Sequence, residues 1–407
     1  MKRNAALNTW GVLFYFFCQW LLTVVSVRIA GYETAGQFSL AVSFCNIFSF
    51  IGMFGIRGIQ VSDVTFQHSD KLYFILRVAT CTLATFLFGI ALLLSDYAGN
   101  TAACCIAMMC FKLSECAADV IIGTMQRSRQ FFRIAVSYTL RGILPAGAFV
   151  AVLVTAQSLS SAIWAMAIVS VLCLLSYDVA RLRTIPSENN TFHVKEIIVL
   201  AKMAVPLMLT AILDSVLVYI PRATVETICG FEVLGYYSSI SIVVVVLSTI
   251  STGVWGSITP EISILLQKQE YSALKKLLRN IALLILVCAV VVLSFGNLLG
   301  PFFFALLFGR EILEYMYLLS PVLINALLLL VCSFFQCIFI PMKMRNALLY
   351  TNVAAVMMCA LLSNPLTNLF GLTGACLATT ASLLSRSTML LIIWYVRWKS
   401  MTKEAKS

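Results

Sequence analysis

Residues 31–39 read GYETAGQFS and residues 230–238 read GFEVLGYYS. The two stretches share one pattern, Gly-aromatic-Glu-x-x-Gly-x-aromatic-Ser, half a chain apart. Gly31 matches Gly230, Glu33 matches Glu232, Gly36 matches Gly235 and Ser39 matches Ser238. A second pair follows in the same order, GMFG at 52–55 and GVWG at 253–256. Two features in one order, at nearly one offset, point to a duplicated unit.

Composition says what is duplicated. The 407 residues are 61% apolar and 11% charged, with a mean hydropathy of +0.97. A soluble domain is about a quarter charged. Lipid is therefore the solvent for most of these side chains, and every backbone polar group in it must be paired within the chain. The apolar runs have helix length, about 20 residues, and not the short alternating pattern of barrel strands. Twelve spans result, at 7–27, 36–56, 73–94, 101–124, 134–156, 160–180, 197–219, 234–256, 277–299, 314–340, 347–370 and 372–396. The start, MKRNAALNTW, has the basic flank of a signal peptide but no A-x-A-like cleavage site after it, and reads as an uncleaved first helix.

The fold class is an all-α polytopic membrane protein of twelve transmembrane helices in two pseudo-symmetric six-helix bundles. The first bundle covers 1–183 and the second 197–396. A polar linker at 184–196 joins them, and 397–407 is a tail. Six is even, so both halves enter the membrane in the same sense. Such a parallel repeat is related by an axis along the membrane normal, and two such bundles can rock around a site between them. Spans 1, 2, 7 and 8 are expected to face that site.

The net charge of +11 belongs to topology, not to nucleic acid. With the N-terminus in the cytoplasm, the inner segments collect Lys2, Arg3, Arg57, Lys71, Arg127, Arg129, Arg133, Lys275, Lys276, Arg279 and more, and the outer ones only Arg28, Arg222 and Arg310. Short loops rich in Lys and Arg stay inside. Both termini are thus expected in the cytoplasm. Loops are short throughout, so function must lie within the bilayer. Nearly all of the fourteen cysteines fall inside spans and read as small apolar filler. The two histidines, His68 and His193, sit in different loops, and no metal-ligand spacing occurs.

Charges inside the spans are the informative residues, because each costs at least about 2.5–3.5 kcal/mol at the bilayer centre. Span 4 carries Lys112, Glu115 and Asp119 at helical spacing i, i+3 and i+7, in one stripe. Span 5 returns with Arg141, on a face with Ser137, Tyr138 and Pro145. Depth suggests two pairs, Lys112–Glu115 and Asp119–Arg141. They read either as glue between spans 4 and 5 or as the polar wall of a substrate or ion path. Span 7 holds Lys202, Pro206, Thr210 and Asp214 in one seam, and span 12 holds Thr379, Ser382 and Arg386 on one face. Arg386 either meets a partner such as Asp214 or faces water as a site for an anion. Arg77, near the end of span 3, reads as interfacial.

The stretch IGMFGIRGIQVSDVTFQHSD (51–70), together with TPEIS (259–263), QKQEYSALKKLLRN (267–280) and GLTGACLATTAS (371–382), resembles the Wzx-type flippases of lipid-linked O-antigen oligosaccharides. These belong to the multidrug/oligosaccharidyl-lipid/polysaccharide exporter superfamily. The resemblance covers the whole chain. It implies a V-shaped pair of bundles around a charged cavity. It implies movement of an undecaprenyl-pyrophosphate-linked repeat unit from the cytoplasmic to the outer leaflet of the bacterial inner membrane by alternating access. A coupling ion, H+ or Na+, is implied as well. Arg57 of IRGIQVSD is the nearest residue carried over. Lipid II flippases use fourteen helices and more cavity arginines than this chain has.

The candidate cationic residues are Lys112, Arg141, Arg386 and Arg57. The candidates for ion coupling or structural pairing are Glu115, Asp119 and Asp214. The partners are the lipid-linked substrate, membrane lipids and other polysaccharide-assembly proteins, with the chain itself a monomer. Two alternatives stand. A multidrug or cation antiporter of the same superfamily needs unpaired acids. A membrane enzyme such as a polymerase needs a long catalytic outer loop. Here the outer loops are short, with no phosphate-cradling Gly-rich loop and no Ser/His/Asp set, so no enzyme is expected.

Overall fold

The computed structural model describes residues 2–63, 68–182 and 194–404, and these are helical nearly throughout, with no strand among them. The helices are α1 (Lys2–Met53), α2 (Ile56–Ser62), α3 (Asp70–Leu94), α4 (Gly99–Arg127), α5 (Phe131–Ala156) and α6 (Leu159–Cys173). A π turn at Leu174–Asp178 carries α6 into α7 (Val179–Leu182). Then come α8 (Val194–Cys229), α9 (Phe231–Ile240), α10 (Ile242–Gln267) and α11 (Tyr271–Phe308). A 3-10 stretch (Arg310–Leu318) leads to α12 (Leu319–Phe339), α13 (Arg345–Phe370) and α14 (Leu372–Glu404).

Among the described residues, ten helices are long and apolar enough to cross a membrane. One of them is α1, whose 52 residues would run about 78 Å if straight, over twice the hydrocarbon thickness of about 30 Å. It breaks at Gly31 (φ 82°, ψ 176°) and so supplies two crossings. Beyond the ten stands α4, 29 residues long, which carries Lys112, Glu115 and Asp119. Together these account for the twelve expected spans.

The repeated pattern sits at repeated geometry. Gly230, between α8 and α9, has φ 86° and ψ 173°, within a few degrees of Gly31. This region of backbone space is essentially closed to any residue with a Cβ. A Cβ built on either glycine meets nothing within 4 Å. The glycines are therefore required by torsion and not by crowding. The second sequence match does not extend to the backbone. Phe54 (φ 51°) and Gly55 (φ 64°) are left-handed and end the helix after GMFG, whereas α10 runs through GVWG to Gln267.

Two further turns repeat. Arg129 (φ 57°) links α4 to α5, and Lys343 (φ 58°) links α12 to α13. In both, the next N–H reaches back over six residues, from Gln130 to the Met125 carbonyl and from Met344 to the Phe339 carbonyl, each at 2.9 Å. This is a Schellman closure of the preceding helix. It occurs between the fourth and fifth spans of one half and the tenth and eleventh of the other, and once more between the eighth and ninth, where Gln269 (φ 57°) is followed by a Glu270 N–H to Leu265 carbonyl bond of 3.0 Å.

The chain forms two compact units, Met1–Ser215 and Val216–Ser407. The division falls inside α8, beyond the linker expected at 184–196. Residues 184–193 of that linker, with His193, lie outside the described residues. Within the first unit α1 packs on α4, α4 on α6 and α5 on α6. Within the second α10 packs on α12, α12 on α14 and α13 on α14. Numbered as spans, these are the same pairs. The first core gathers Phe54, Leu72, Tyr73, Ile121 and Met125, and the second gathers Trp255, Phe334, Phe335, Phe339 and Leu390. All fourteen cysteines are free thiols.

Candidate functional site

The first unit holds a buried network of charges centred on α4. Arg141 of α5 is 1% exposed. Its guanidinium donates to the Glu115 carboxylate, to Asp178 Oδ2 at 3.3 Å and to the Ser170 hydroxyl at 3.2 Å. The second oxygen of Glu115 accepts from the Tyr15 hydroxyl at 2.6 Å. The second oxygen of Asp178 accepts from Ser137 at 2.6 Å. Asp178 closes the π turn after α6. The extra residue in that turn rotates Asp178 back toward the face of Ser170, so both reach Arg141. Such turns collect at functional sites. Pro145 lies one turn beyond Arg141 inside α5 and, having no N–H, leaves the Arg141 carbonyl out of the helical ladder.

One turn nearer Arg127, Asp119 takes two other arginines. Arg77 Nη2 donates to Oδ2 at 2.7 Å, and Arg57 Nη1 to Oδ1 at 3.4 Å. Arg57 is also held by the Tyr138 hydroxyl at 2.7 Å and Gln126 Oε1 at 2.9 Å. Arg77 serves the helix break as well. Because the chain leaves the helix at Phe54 and Gly55, the Gly52 carbonyl loses its ordinary helical N–H donor. Arg77 Nη1 (2.6 Å) and the Thr80 hydroxyl (2.8 Å) donate to it instead. Beyond the helix end, Arg127 ties Asp63 (3.2 Å) to Asp70 (2.9 Å), and His68 Nδ1 meets Glu196 Oε2 at 3.2 Å.

These contacts correct the expected pairs. Arg141 meets Glu115, and Asp119 meets Arg57 and Arg77. Measured from the α4–α5 turn at 1.5 Å per residue, Arg141 stands about 15 Å deep, between Asp119 at about 12 Å and Glu115 at about 18 Å. Depth alone leaves the choice open, and the angular position of α1, α3 and α6 around α4 makes it. Lys112, expected on Glu115, forms no ion pair or hydrogen bond among the described residues, and its ammonium lies 5.8 Å from the centre of the Phe111 ring. Three arginines and three acids thus balance, and Lys112 is left over. Arg77, 2% exposed, is enclosed by the bundle beside Asp119.

In the second unit Arg386 and Ser382 are fully enclosed, so that face of α14 looks into the bundle. Asp214 is half-buried in α8 and belongs to the first unit. Sequence reading overlooked Tyr15, Asp178 and Arg222. Asp178 lay inside the predicted sixth span and carried the same signal as Asp119, an acid in an apolar run. Arg222 was assigned to an outer segment, yet α8 continues seven residues past it, to Cys229.

No family model matches the chain. It is 25% identical over 306 residues, 72% of its length and 74% of the relative's, to "Capsular polysaccharide biosynthesis protein CapF" of Staphylococcus aureus. In structure it is similar to a multidrug resistance MATE family transporter of the MOP superfamily in an inward-facing conformation, with a TM-score of 0.72 at 12% identity over 96% of this chain and 95% of that one. It is equally similar to the lipid II flippase MurJ in an inward closed conformation, with a TM-score of 0.71 at 14% identity over 96% and 87%.

Proposed function

We propose, for a chain with the fold of the MOP-superfamily transporters, that it moves a polyprenyl-diphosphate-linked oligosaccharide across the bacterial cytoplasmic membrane. The cargo would be a surface-polysaccharide repeat unit such as O-antigen, carried from the inner to the outer leaflet by alternating access, with H+ or Na+ as the exchanged ion. The capsular-polysaccharide relative supports the cargo class.

The observation that carries the reading is the charge balance around α4. Glu115 and Asp178 share Arg141, Asp119 holds Arg57 and Arg77, and Lys112 makes no direct contact with a carboxylate among the described residues, so four cations stand with three acids. The uncompensated charge in this layer of the membrane is positive. That suits a diphosphate. It does not suit an organic cation, which needs an open acid. The apolar polyprenyl tail can stay in lipid, and only the headgroup and glycan need a polar route through about 30 Å of hydrocarbon.

Deletion of the chain tests the reading. Lipid-linked repeat units should accumulate on the cytoplasmic face and surface polysaccharide should be lost. Unchanged surface polysaccharide, with no accumulation, would refute it. The likeness to a multidrug transporter supports a second reading, export of organic cations. Restored drug resistance in a strain lacking efflux pumps would favour that one.

A further inference from the structure

Gly52 lies one residue before the end of α1, and α3 and α4 both reach it there. A Cβ built on Gly52 meets Cys116 Sγ of α4 at 3.0 Å and Cys81 Sγ of α3 at 3.7 Å. The two thiols thus share the space that any other residue at 52 would fill. They are within hydrogen-bonding reach of each other in it. The matching glycine of the repeat is Gly253 of GVWG. A Cβ on Gly253 meets nothing within 4 Å. The repeat does not demand this packing, so the sulfur pair is a feature added to the first copy.

Access separates this pair from the other neighbouring cysteines. Cys45 and Cys105 also lie together, but both are fully buried, and the Cys45 thiol donates to the Cys105 backbone carbonyl at 3.2 Å. Cys116 is fully buried too, with the Ser49 carbonyl 3.4 Å from its sulfur. Cys81 is only partly buried, and exposed Val78 and Thr82 flank it on α3. A small reagent outside the bundle can therefore reach the Cys81 sulfur, and a second thiol stands directly behind it. An accessible cysteine backed by a resolving cysteine is the arrangement that oxidises reversibly.

We propose that Cys81 and Cys116 are a dithiol modification site, which hydrogen peroxide closes to a disulfide that pins α3 to α4 at the break ending α1. The Cys81 sulfur attacks one peroxide oxygen. The O–O bond breaks, one water leaves, and Cys81 carries a sulfenic acid. The Cys116 sulfur then attacks the Cys81 sulfur, so the S–S bond forms, the S–O bond breaks and a second water leaves. The two thiol protons end in those waters, and two electrons pass from sulfur to peroxide. The Gly52 carbonyl already holds Arg77 and Thr80 of α3. The disulfide adds α4 to the same point, so oxidation fixes three helices around the break. The site needs no cargo and stands or falls apart from the flippase reading.

The test uses the full chain in lipid nanodiscs. Reduced protein is treated with hydrogen peroxide, denatured in N-ethylmaleimide and digested without reductant. Mass spectrometry should find the Cys81 and Cys116 peptides joined, two hydrogens lighter than the separate pair, and parted again by dithiothreitol. Recovery of both residues as maleimide adducts, with methionine sulfoxide present elsewhere in the chain, overturns the site. So does a Cys81 that advances to sulfinic acid without a link, or one joined to another cysteine. In Cys116→Ser, dimedone should trap Cys81 as its sulfenic acid. In Cys81→Ser, Cys116 should stay a thiol, and equal oxidation of Cys116 there overturns the assigned order. Exchange of the amide hydrogens at 50–58 should slow several-fold in the oxidised protein and recover with dithiothreitol. Unchanged exchange overturns the pinning.

Discussion

Replacing Asp119 with Asn removes the one carboxylate that serves two arginines. Arg77 is the more costly of the two to leave bare. Its side chain is 3% exposed, and its remaining contact is the Gly52 carbonyl, a neutral acceptor. Arg57 is 27% exposed and keeps Tyr138 and Gln126, so little is charged to it. Breaking a buried pair from one side costs about 3–5 kcal/mol, and Asp119→Asn should fall in that range. Glu115→Gln should cost less, because Arg141 retains Asp178 and the amide can still accept from Tyr15. The assay is the heat-induced loss of monodisperse protein in detergent, read by size-exclusion chromatography. At about 2–4 °C per kcal/mol for a unit of this size, Asp119→Asn should lower the midpoint by on the order of 10 °C, and more than Glu115→Gln does. Adding Arg77→Met should recover most of the loss, since deleting both members of a buried pair is far cheaper than deleting one. Equal midpoints for Asp119→Asn and the unaltered protein, or no recovery with Arg77→Met, would refute the assignment of these partners.

Further outcomes follow from the same geometry. Exchanging the charges of Asp119 and Arg141 should rescue neither single change, because each residue holds other partners; rescue in a polysaccharide assay would restore the pairing expected from depth. Gly31→Ala and Gly230→Ala should each cost about 1–3 kcal/mol through backbone torsion alone. Their combined effect on the thermal midpoint should be additive, and a neutral Gly230→Ala would contradict the corner geometry. Lys112→Ala and Arg386→Ala should leave the protein inserted but block surface polysaccharide, scored by immunoblot of membranes alongside polysaccharide gels. Normal polysaccharide in both would remove the cationic role.

Features set by one helix at a time were legible in the sequence. Span lengths follow from hydropathy, and the stripe of Lys112, Glu115 and Asp119 follows from helical spacing. Gly31 and Gly230 could be matched because a torsion that only glycine tolerates leaves a mark in composition. What depended on the angle between helices was not legible. The partners of Arg77 were not legible from its place near the end of its span, because nothing in that count shows that the break at Phe54 and Gly55 exposes a carbonyl beside it. Asp178 reaches Arg141 through a π turn, and no residue in LLSYD announces one. GMFG and GVWG match as letters but differ in backbone, so a short match located the repeat without fixing its conformation.

The glycine corners also have a mechanical meaning. A loop of several residues works as a slack tether, and the helices it joins can shift independently. At Gly31 a single residue separates the two arms of α1, and at Gly230 a single residue separates α8 from α9, leaving two torsions to absorb any relative movement. Translation of one helix along its axis is passed to its neighbour almost undiminished, while rotation about the corner stays soft because glycine's allowed torsional range is wide. Each corner thus behaves as a pivot joint with no play in length, and the two helices that meet there move as one lever.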